Sequence, residues 1–275
     1  MTKLHILTLN WNAENTLPSL VTSLEKAVVA LEDVNVESRW LVRDNGSRDN
    51  SIGAISQFGK EHIIFAIDHN RDSFATGVNF LFKESGAQDD DLLMLLNNDI
   101  VIKDVNSISK MVELQRKTTA DVVGCRLLFN DSNKLQHCGV IFGKRYNNLP
   151  FHYRVGEESD EVAKKDRWFQ AVTGACCLIT ASAFRRIGGM DSGFKWAFDD
   201  IDTSLQIGST GGKIAYCGGT EIYHAESLSL HKNPVNKMFI KQNVERFRKK
   251  WTGKYEIDHD LYLSNPHYKE IPVSK

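Results

Sequence analysis

Apolar residues come in short runs along the first hundred positions, and each run ends in a polar cluster. Residues 3–10 read as a strand that stops at Asn10-Trp11-Asn12. Residues 40–44 form a second run, stopped by Asn45-Gly46, residues 63–67 a third, and Leu92–Leu96 is an unbroken run of leucine and methionine. Short apolar runs bounded by turn residues predict buried strands. Between them the spacing changes. Leu17, Leu20, Val21, Leu24, Val28 and Leu31 recur at helical intervals within 16–31, and residues 74–83 read as a second helix. Strands alternating with helices predict right-handed βαβ units and a parallel sheet. Ligands of such sheets sit beyond the carboxyl ends of the strands. The polar clusters at 10–12, 44–50 and 97–99 fall there.

From about Ala120 the alternation gives way to closer-spaced runs. Residues 122–129 and 135–142 read as strands of a mixed sheet, and 171–179 is apolar. Residues 147–168 are polar and irregular, with EESDE followed by KKDR, and read as a loop. A short helix is expected at 183–186, broken by Gly188-Gly189, and another at 198–207, opening with three acids. Residues 213–217 and 221–224 read as two short strands. Val235, Phe239, Phe247 and Trp251, set among basic residues, predict a terminal amphipathic helix over 235–251.

Composition narrows the class. With 275 residues, 41% of them hydrophobic and 25% charged, the chain has core enough for one large α/β domain or two fused halves. A net charge of −1 argues against nucleic acid as a partner. The N-terminal apolar run spans about six residues, short of a signal segment or a membrane span. No later stretch approaches the roughly 18 apolar residues of a span, so a cytoplasmic protein is expected. Cys125, Cys138, Cys176, Cys177 and Cys217 form no Cys-x-x-Cys pair and read as reduced core residues. The His137-Cys138 pair matches no zinc spacing and reads as structural. Residues 208–213 resemble a phosphate-binding loop but are one residue too short, with Ile214 where Ser or Thr is needed. No Gly-x-Gly-x-x-Gly follows a predicted strand, which argues against a dinucleotide-binding oxidoreductase.

The candidate chemistry lies in a few polar clusters, each with a plainer structural alternative. Asp44 closes a predicted strand before Asn45-Gly46-Ser47. The segment suits a turn and a helix cap; alternatively the Asp44 carboxylate accepts the imide N–H of uracil or thymine. Asn97-Asn98-Asp99 suits a polar turn; alternatively Asp99 holds a divalent cation that neutralises a departing nucleotide diphosphate. His224 is a hydrogen-bonded histidine or a further ligand. Oxygen ligands with one imidazole suit Mn²⁺, with Mg²⁺ the alternative. Asp199, Asp200 and Asp202 open a helix, where their charge complements its dipole. A carboxylate held ionised there also suits a general base.

Taken in order, ILTLNWNAENTL, VRDNGSRDNS, HNRDSFATGVN, LLMLLNNDIVI, VGCRLLFNDSNKLQHCGVIFG, VTGACCLITASAFRRIGGMDSGF, WAFDDIDTSLQ and EIYHAESLS resemble family 2 of the glycosyltransferases. The resemblance is to its non-processive bacterial branch of rhamnosyl-, galactofuranosyl- and other polysaccharide-building transferases, and covers roughly Leu4 to Trp251. It implies a GT-A fold, an α/β architecture with a Rossmann-like mixed sheet flanked by helices. Residues 1–120 would form the nucleotide-sugar-binding half, 121–230 the acceptor-binding and catalytic half, and 231–275 a terminal amphipathic helix and tail. The implied activity is inverting transfer of a single sugar from a UDP- or dTDP-sugar to a hydroxyl of a glycan acceptor, in surface polysaccharide or glycoconjugate synthesis, with Mn²⁺ or Mg²⁺.

Carried over residue by residue, the resemblance implies nucleotide contacts from Leu9, Asn10, Asn12, Asp44, Asn70, Asn79, Asn97 and Asn98. It implies metal ligation by Asp99 and His224, Asp200 as base, acceptor contacts from Asp199 and Trp196, and diphosphate contacts from Ser227 and the segment near Lys232. If Asp200 points into the cleft, helical geometry turns Asp199 about 100° away. Asn97 replaces the first acid of the family's Asp-x-Asp motif, which leaves a cation one charged ligand fewer. The Gln-x-x-Arg-Trp motif of processive synthases is missing, since Gln242 and Arg246 have the wrong spacing. Lys232, Lys237, Lys241, Arg246, Arg248, Lys249 and Lys250 suit contact with the inner face of an anionic membrane that presents a lipid-linked acceptor, or a solvated helix face. Two other classes stay open. A sugar-nucleotide pyrophosphorylase would want a Gly-rich loop with Arg and Lys, which residues 9–14 lack; a non-catalytic carbohydrate-binding homologue would have degraded acids.

Overall fold

The computed structural model describes residues 2–67, 73–130, 132–144, 147–195, 197–225 and 234–272, the last segment with side chains from 239 onward. The strands are β1 (Thr2–Asn10), β2 (Val36–Asp44), β3 (His62–Ala66), β4 (Leu92–Leu96), β5 (Ile100–Ile102), β6 (Val122–Phe129), β7 (Leu135–His137), β8 (Val140–Phe142), β9 (Pro150–His152), β10 (Arg167–Phe169), β11 (Cys176–Thr180) and β12 (Ile214–His224). The helices are α1 (Leu17–Val29), α2 (Ser51–Ile55), α3 (Phe74–Ser85), α4 (Ser107–Thr118), α5 (Ala181–Arg186), α6 (Asp199–Ser209), α7 (Pro234–Trp251) and α8 (His259–Ser264).

The strands of the first half pair in parallel in the order β4-β1-β2-β3. All five residues of β4 are buried because helices cover both faces. On one face Leu17, Leu20 and Leu24 of α1 and Ile108, Met111 and Val112 of α4 pack against Leu4, Ile6 and Met94. On the other, Ala75, Val78 and Leu81 of α3 and Phe184 of α5 pack against Leu7, Leu93 and Leu95. Burying such side chains contributes about 1.5–3 kcal/mol each, which is why the leucine run lies at the centre. Beyond β4 the sheet continues antiparallel through β11 to β6, then to β12 and β10. A single mixed sheet therefore runs through both halves of the chain, with helices on its two faces: the GT-A arrangement.

The structure departs from the sequence reading in several places, adding β5 and α8 among them. The run 135–142 is two strands, because Gly139 adopts a φ of +94° and turns β8 away into a hairpin with β9. A Cβ there would come 2.3 Å from the Phe169 ring, so both conformation and space require glycine. The supposed loop 147–168 contains β9 and the start of β10, each three residues long and too short to show an alternation. The two short strands near the end are one, β12, interrupted by a register shift between Cys217 and Ile222. Helix α4 has no counterpart in the reading; its exposed polar residues mask the buried stripe of Ile108, Met111, Val112 and Leu114.

Toward the C-terminus, Phe247 and Trp251 of α7 are buried against Ile201 and Leu205 of α6 and against Val140 and Phe142. Among the described residues no helix is long and apolar enough to cross a membrane. All five cysteines are free and buried, and burial pushes the Cys138 thiol up to about 11.

Candidate active site

β1 and β2 run in register to their last residues, which places Asn10 opposite Asp44. Asp44 is buried, and Ser47 clasps it: Oδ1 accepts from the Ser47 hydroxyl at 2.6 Å and Oδ2 from the Ser47 N–H at 2.9 Å. Asn10 Nδ2 donates to Asp44 Oδ1 at 2.7 Å, and Asn98 Nδ2 donates to Asn10 Oδ1 at 3.0 Å. Asn12 sits at a φ of +47°; its N–H donates to Ser47 Oγ and its side-chain oxygen accepts from the Arg48 N–H. Asn10, Asn12, Asp44 and Asn98 thus knit the loops after β1, β2 and β4 into one platform at the carboxyl edge of the sheet. An ionised carboxylate has about four acceptor directions. Three of Asp44's are taken within this platform.

Two expected nucleotide contacts are engaged elsewhere. Leu9 packs on α3, where a Cβ on Gly77 would meet it at 2.5 Å. The structure does not bring Asn79 to the platform: its carboxamide donates to the Met190 carbonyl and accepts from the Met190 N–H, both at 2.8 Å. Asn70, Trp196, Ser227 and Lys232 lie outside the described residues.

The second cluster follows from topology. β5 pairs with β12, setting Ile100 opposite His224, and the Ala225 N–H donates to the Asp99 carbonyl at 3.0 Å. Residues about 125 apart in sequence therefore meet. His224 Nε2 lies 3.1 Å from Asp99 Oδ1 and 3.4 Å from Asn97 Nδ2. Among the described residues no hydrogen bond reaches Asp99 Oδ1, although the atom is buried. On its other side, His224 Nδ1 is 2.6 Å from Gln136 Oε1. Among the described residues no three His, Cys, Asp or Glu side chains converge as a ready cation cage.

A cavity of about 470 Å³ opens beside this pair. Asn97, His224, Asp199 and Asp200 line it, with Phe74, Phe151, Phe198 and Ile201 as apolar walls. Asp200 is held by three donors. Its Oδ2 accepts from the Gly174 N–H at 2.8 Å and the Thr173 hydroxyl at 3.2 Å, and its Oδ1 from the Ile201 N–H at 2.8 Å. Gly174 allows that approach, since a Cβ there would lie 3.0 Å from Asp200 Cβ.

Asp199 differs from its neighbour. It follows Phe198, whose φ of +69° is unusual for a bulky residue and costs about 1–3 kcal/mol. The Phe198 ring is fixed against Phe247, with centroids 5.1 Å apart. Asp199 Oδ2 is buried and has no hydrogen-bond partner among the described residues. Burial, and then the charge of Asp200, push the Asp199 carboxyl up to about 7. Both acids line the same cavity, at the first two positions of α6 and after a left-handed Phe198. Asp202 is different again: fully buried, it bonds Trp251, Gln206 and Lys250 away from the cavity.

Sequence reasoning misses Ser47, Gln136, Thr173 and Gly174. Ser47 lies inside a quoted motif, and its spacing of three from Asp44 is the one signal that could have found it. The His137-Cys138 pair has a packing role: His137 is buried, its Nε2 accepts from the Thr173 N–H at 3.4 Å, and burial holds the ring well below its usual range.

The chain belongs to the family described as Glycosyltransferase like family 2, which matches residues 41–244. It is 25% identical over 255 residues to the rhamnosyltransferase WbbL of Escherichia coli (strain K12), covering 88% of this chain and 91% of that protein. It is 24% identical over 223 residues to the O-antigen biosynthesis protein RfbC of Myxococcus xanthus, covering 79% of this chain but only 17% of that much longer relative. Its fold is similar to that of the mannosyltransferase PcManGT from Pyrobaculum calidifontis, solved in complex with GDP-Man and Mn²⁺. The TM-score is 0.63 at 13% identity, over 96% of this chain and 69% of that one.

Proposed function

We propose that this family member is an inverting glycosyltransferase that moves a single sugar from a UDP- or dTDP-sugar to a hydroxyl of a glycan acceptor in surface-polysaccharide synthesis. The observation that carries the reading is the continuity of the site. The Asn10–Asp44 platform, the Asp99–His224 pair and the Asp199–Asp200 pair follow one another along a single edge of the sheet, linked through Asn97 and Asn98. Asp44 has an acceptor direction left for the imide N–H of the base. The cavity beyond the acids offers aromatic walls against which a sugar ring lays its apolar face. Asp200 takes the proton of the attacking hydroxyl, and displacement from the face opposite the nucleotide inverts the anomeric carbon.

The residues fit a divalent cation. Asp99 Oδ1 is a buried carboxylate oxygen that no donor among the described residues reaches, beside an imidazole nitrogen. Asp99 and His224 would hold the ion, and diphosphate oxygens and water would complete its shell. When bound, it supplies positive charge against the leaving diphosphate. With Asn97 in place of an acid, binding is weak, and Mn²⁺ suits the imidazole better than Mg²⁺.

The test is nucleotide release. Mixing the protein with a panel of sugar nucleotides is expected to liberate UDP or dTDP, by at least about tenfold less after chelation, and fully again with added Mn²⁺. Preference for GDP- or CDP-sugars sinks the assignment of Asp44 to an imide. Release from no donor sinks the function, and full activity after exhaustive chelation sinks the cation.

The reading extends to a membrane-presented acceptor. Arg246 and Lys250 are bonded to Asp191, whereas Lys241, Arg248 and Lys249 are exposed on α7. Co-sedimentation with anionic but not neutral vesicles is the expected result; binding to neither leaves the basic residues as a solvated face.

A further inference from the structure

Strand β7 carries one residue too many for its pairing with β6. Leu127 faces His137 while the next residue, Leu128, faces Leu135. Gln136 is therefore the extra residue of a bulge, a feature that re-aims a side chain out of the ladder. Leu127 pairs with Ile222 on its other edge, so β12 and β7 flank β6. The Gln136 carboxamide, buried, reaches His224 on that far strand.

The contact has two ends. Gln136 Nε2 lies 3.4 Å from the His224 carbonyl oxygen, and Gln136 Oε1 lies 2.6 Å from His224 Nδ1. A backbone carbonyl only accepts, so the amide nitrogen must face it, and Oε1 must then face the ring. His224 Nδ1 therefore carries the proton. In the neutral imidazole this leaves Nε2 as an acceptor, 3.4 Å from the Asn97 amide nitrogen and 3.1 Å from Asp99 Oδ1. Two acceptors face each other, an arrangement that a cation satisfies. The backbone of Gln136 is anchored as well: its carbonyl accepts from His152 Nδ1 at 2.8 Å, and His152 lines the cavity.

We propose that Gln136 is the positioning residue of the cation site, fixing the tautomer and tilt of His224 from the β7 bulge so that Nε2 is presented beside Asp99. The proposal rests on the reading of Asp99 and His224 as cation ligands. Such outer partners of a ligating histidine typically change metal affinity by about 10–100-fold when removed.

Mn²⁺ binding, followed by loss of the free-ion magnetic-resonance signal in the presence of UDP, tests it without reference to turnover. Gln136→Leu is expected to weaken binding by about 10–100-fold. Gln136→Glu, which still accepts from Nδ1–H, is expected to bind at least as tightly as the natural protein. Equal affinity of Gln136→Leu and the natural protein, or equal loss in both variants, overturns the proposal. Imidazole nitrogen shifts of His224 in the unsubstituted protein give a readout that survives a folding failure of either variant. The Nδ1–H tautomer supports the proposal and the Nε2–H tautomer overturns it. If the natural protein binds no Mn²⁺, the cation reading itself falls, and this proposal with it; the two failures are distinguishable.

Discussion

Asp200→Asn is expected to lower turnover by ~10²–10⁴-fold while leaving donor binding nearly unchanged. A sugar hydroxyl is a poor nucleophile, and its proton has to leave as the new bond forms. Asp200 stands on the cavity wall, is oriented by the Gly174 N–H, the Thr173 hydroxyl and the Ile201 N–H, and sits in the first turn of α6. Asparagine keeps the shape and removes the basicity. It also has one acceptor oxygen where Asp200 uses two, so a melting curve accompanies the kinetics to separate lost chemistry from lost fold. Loss of kcat with unchanged donor affinity places the interaction in the transition state. Asp199→Asn supplies the control. Burial and the charge of Asp200 push the Asp199 carboxyl up, and among the described residues no donor orients its buried Oδ2, whereas three donors fix Asp200. Near-normal turnover in Asp200→Asn with a collapse in Asp199→Asn would transfer the role to Asp199. A product that retains the donor's anomeric configuration would discard single displacement altogether.

The contrast between these two acids marks where sequence reading stops. The run of acids opening α6 and the strand-end positions of Asp44 and Asp99 are visible in the chain, because a strand's apolar run announces its own end. β4 is legible to the residue for the same reason: both its faces are buried and no polar position interrupts it. What decides the separate roles of Asp199, Asp200 and Asp202 is not local. It depends on a left-handed Phe198 that packing against Phe247 enforces, and on Gly174 arriving from the segment before β11. Gln136 is hidden more thoroughly. A glutamine next to a buried histidine reads as an ordinary strand residue, and only the register of β7, β6 and β12 together brings it to His224. The short strands β9 and β10 fail for a simpler reason. Three residues cannot display a period of two; β9 is only half-buried, and β10 is held by the distant β12.

The terminal helix gives the second large effect. Asp202→Ala is expected to destabilise the fold by about 3 kcal/mol, the lower end for breaking a buried pair, which for a chain of this size is a fall in Tm of roughly 6–12 °C. Asp202 is fully buried, and its carboxylate accepts from Trp251 Nε1 at 2.6 Å, Gln206 Nε2 at 2.6 Å and Lys250 Nζ at 2.7 Å. Alanine leaves the Trp251 N–H without an acceptor; Lys250, partly exposed, keeps Asp191 and moderates the loss. The residue is within one turn of Asp199 and Asp200, yet its work is to clamp α7 to α6. That clamp matters to the site. Asn243 on α7 donates to the carbonyl of Ala197 and accepts from the N–H of Lys195, and Phe247 holds the ring of Phe198, so α7 supports the segment that delivers Asp199 and Asp200 to the cavity. The variant is therefore expected to lose activity below its own melting temperature, with kcat falling more than donor affinity, as the acids lose their fixed positions. Thermal unfolding followed through tryptophan fluorescence, paired with kinetics at 20 °C below the measured Tm, checks both parts. An unshifted Tm refutes the clamp, and a shifted Tm with kcat intact confines it to stability and detaches α7 from catalysis.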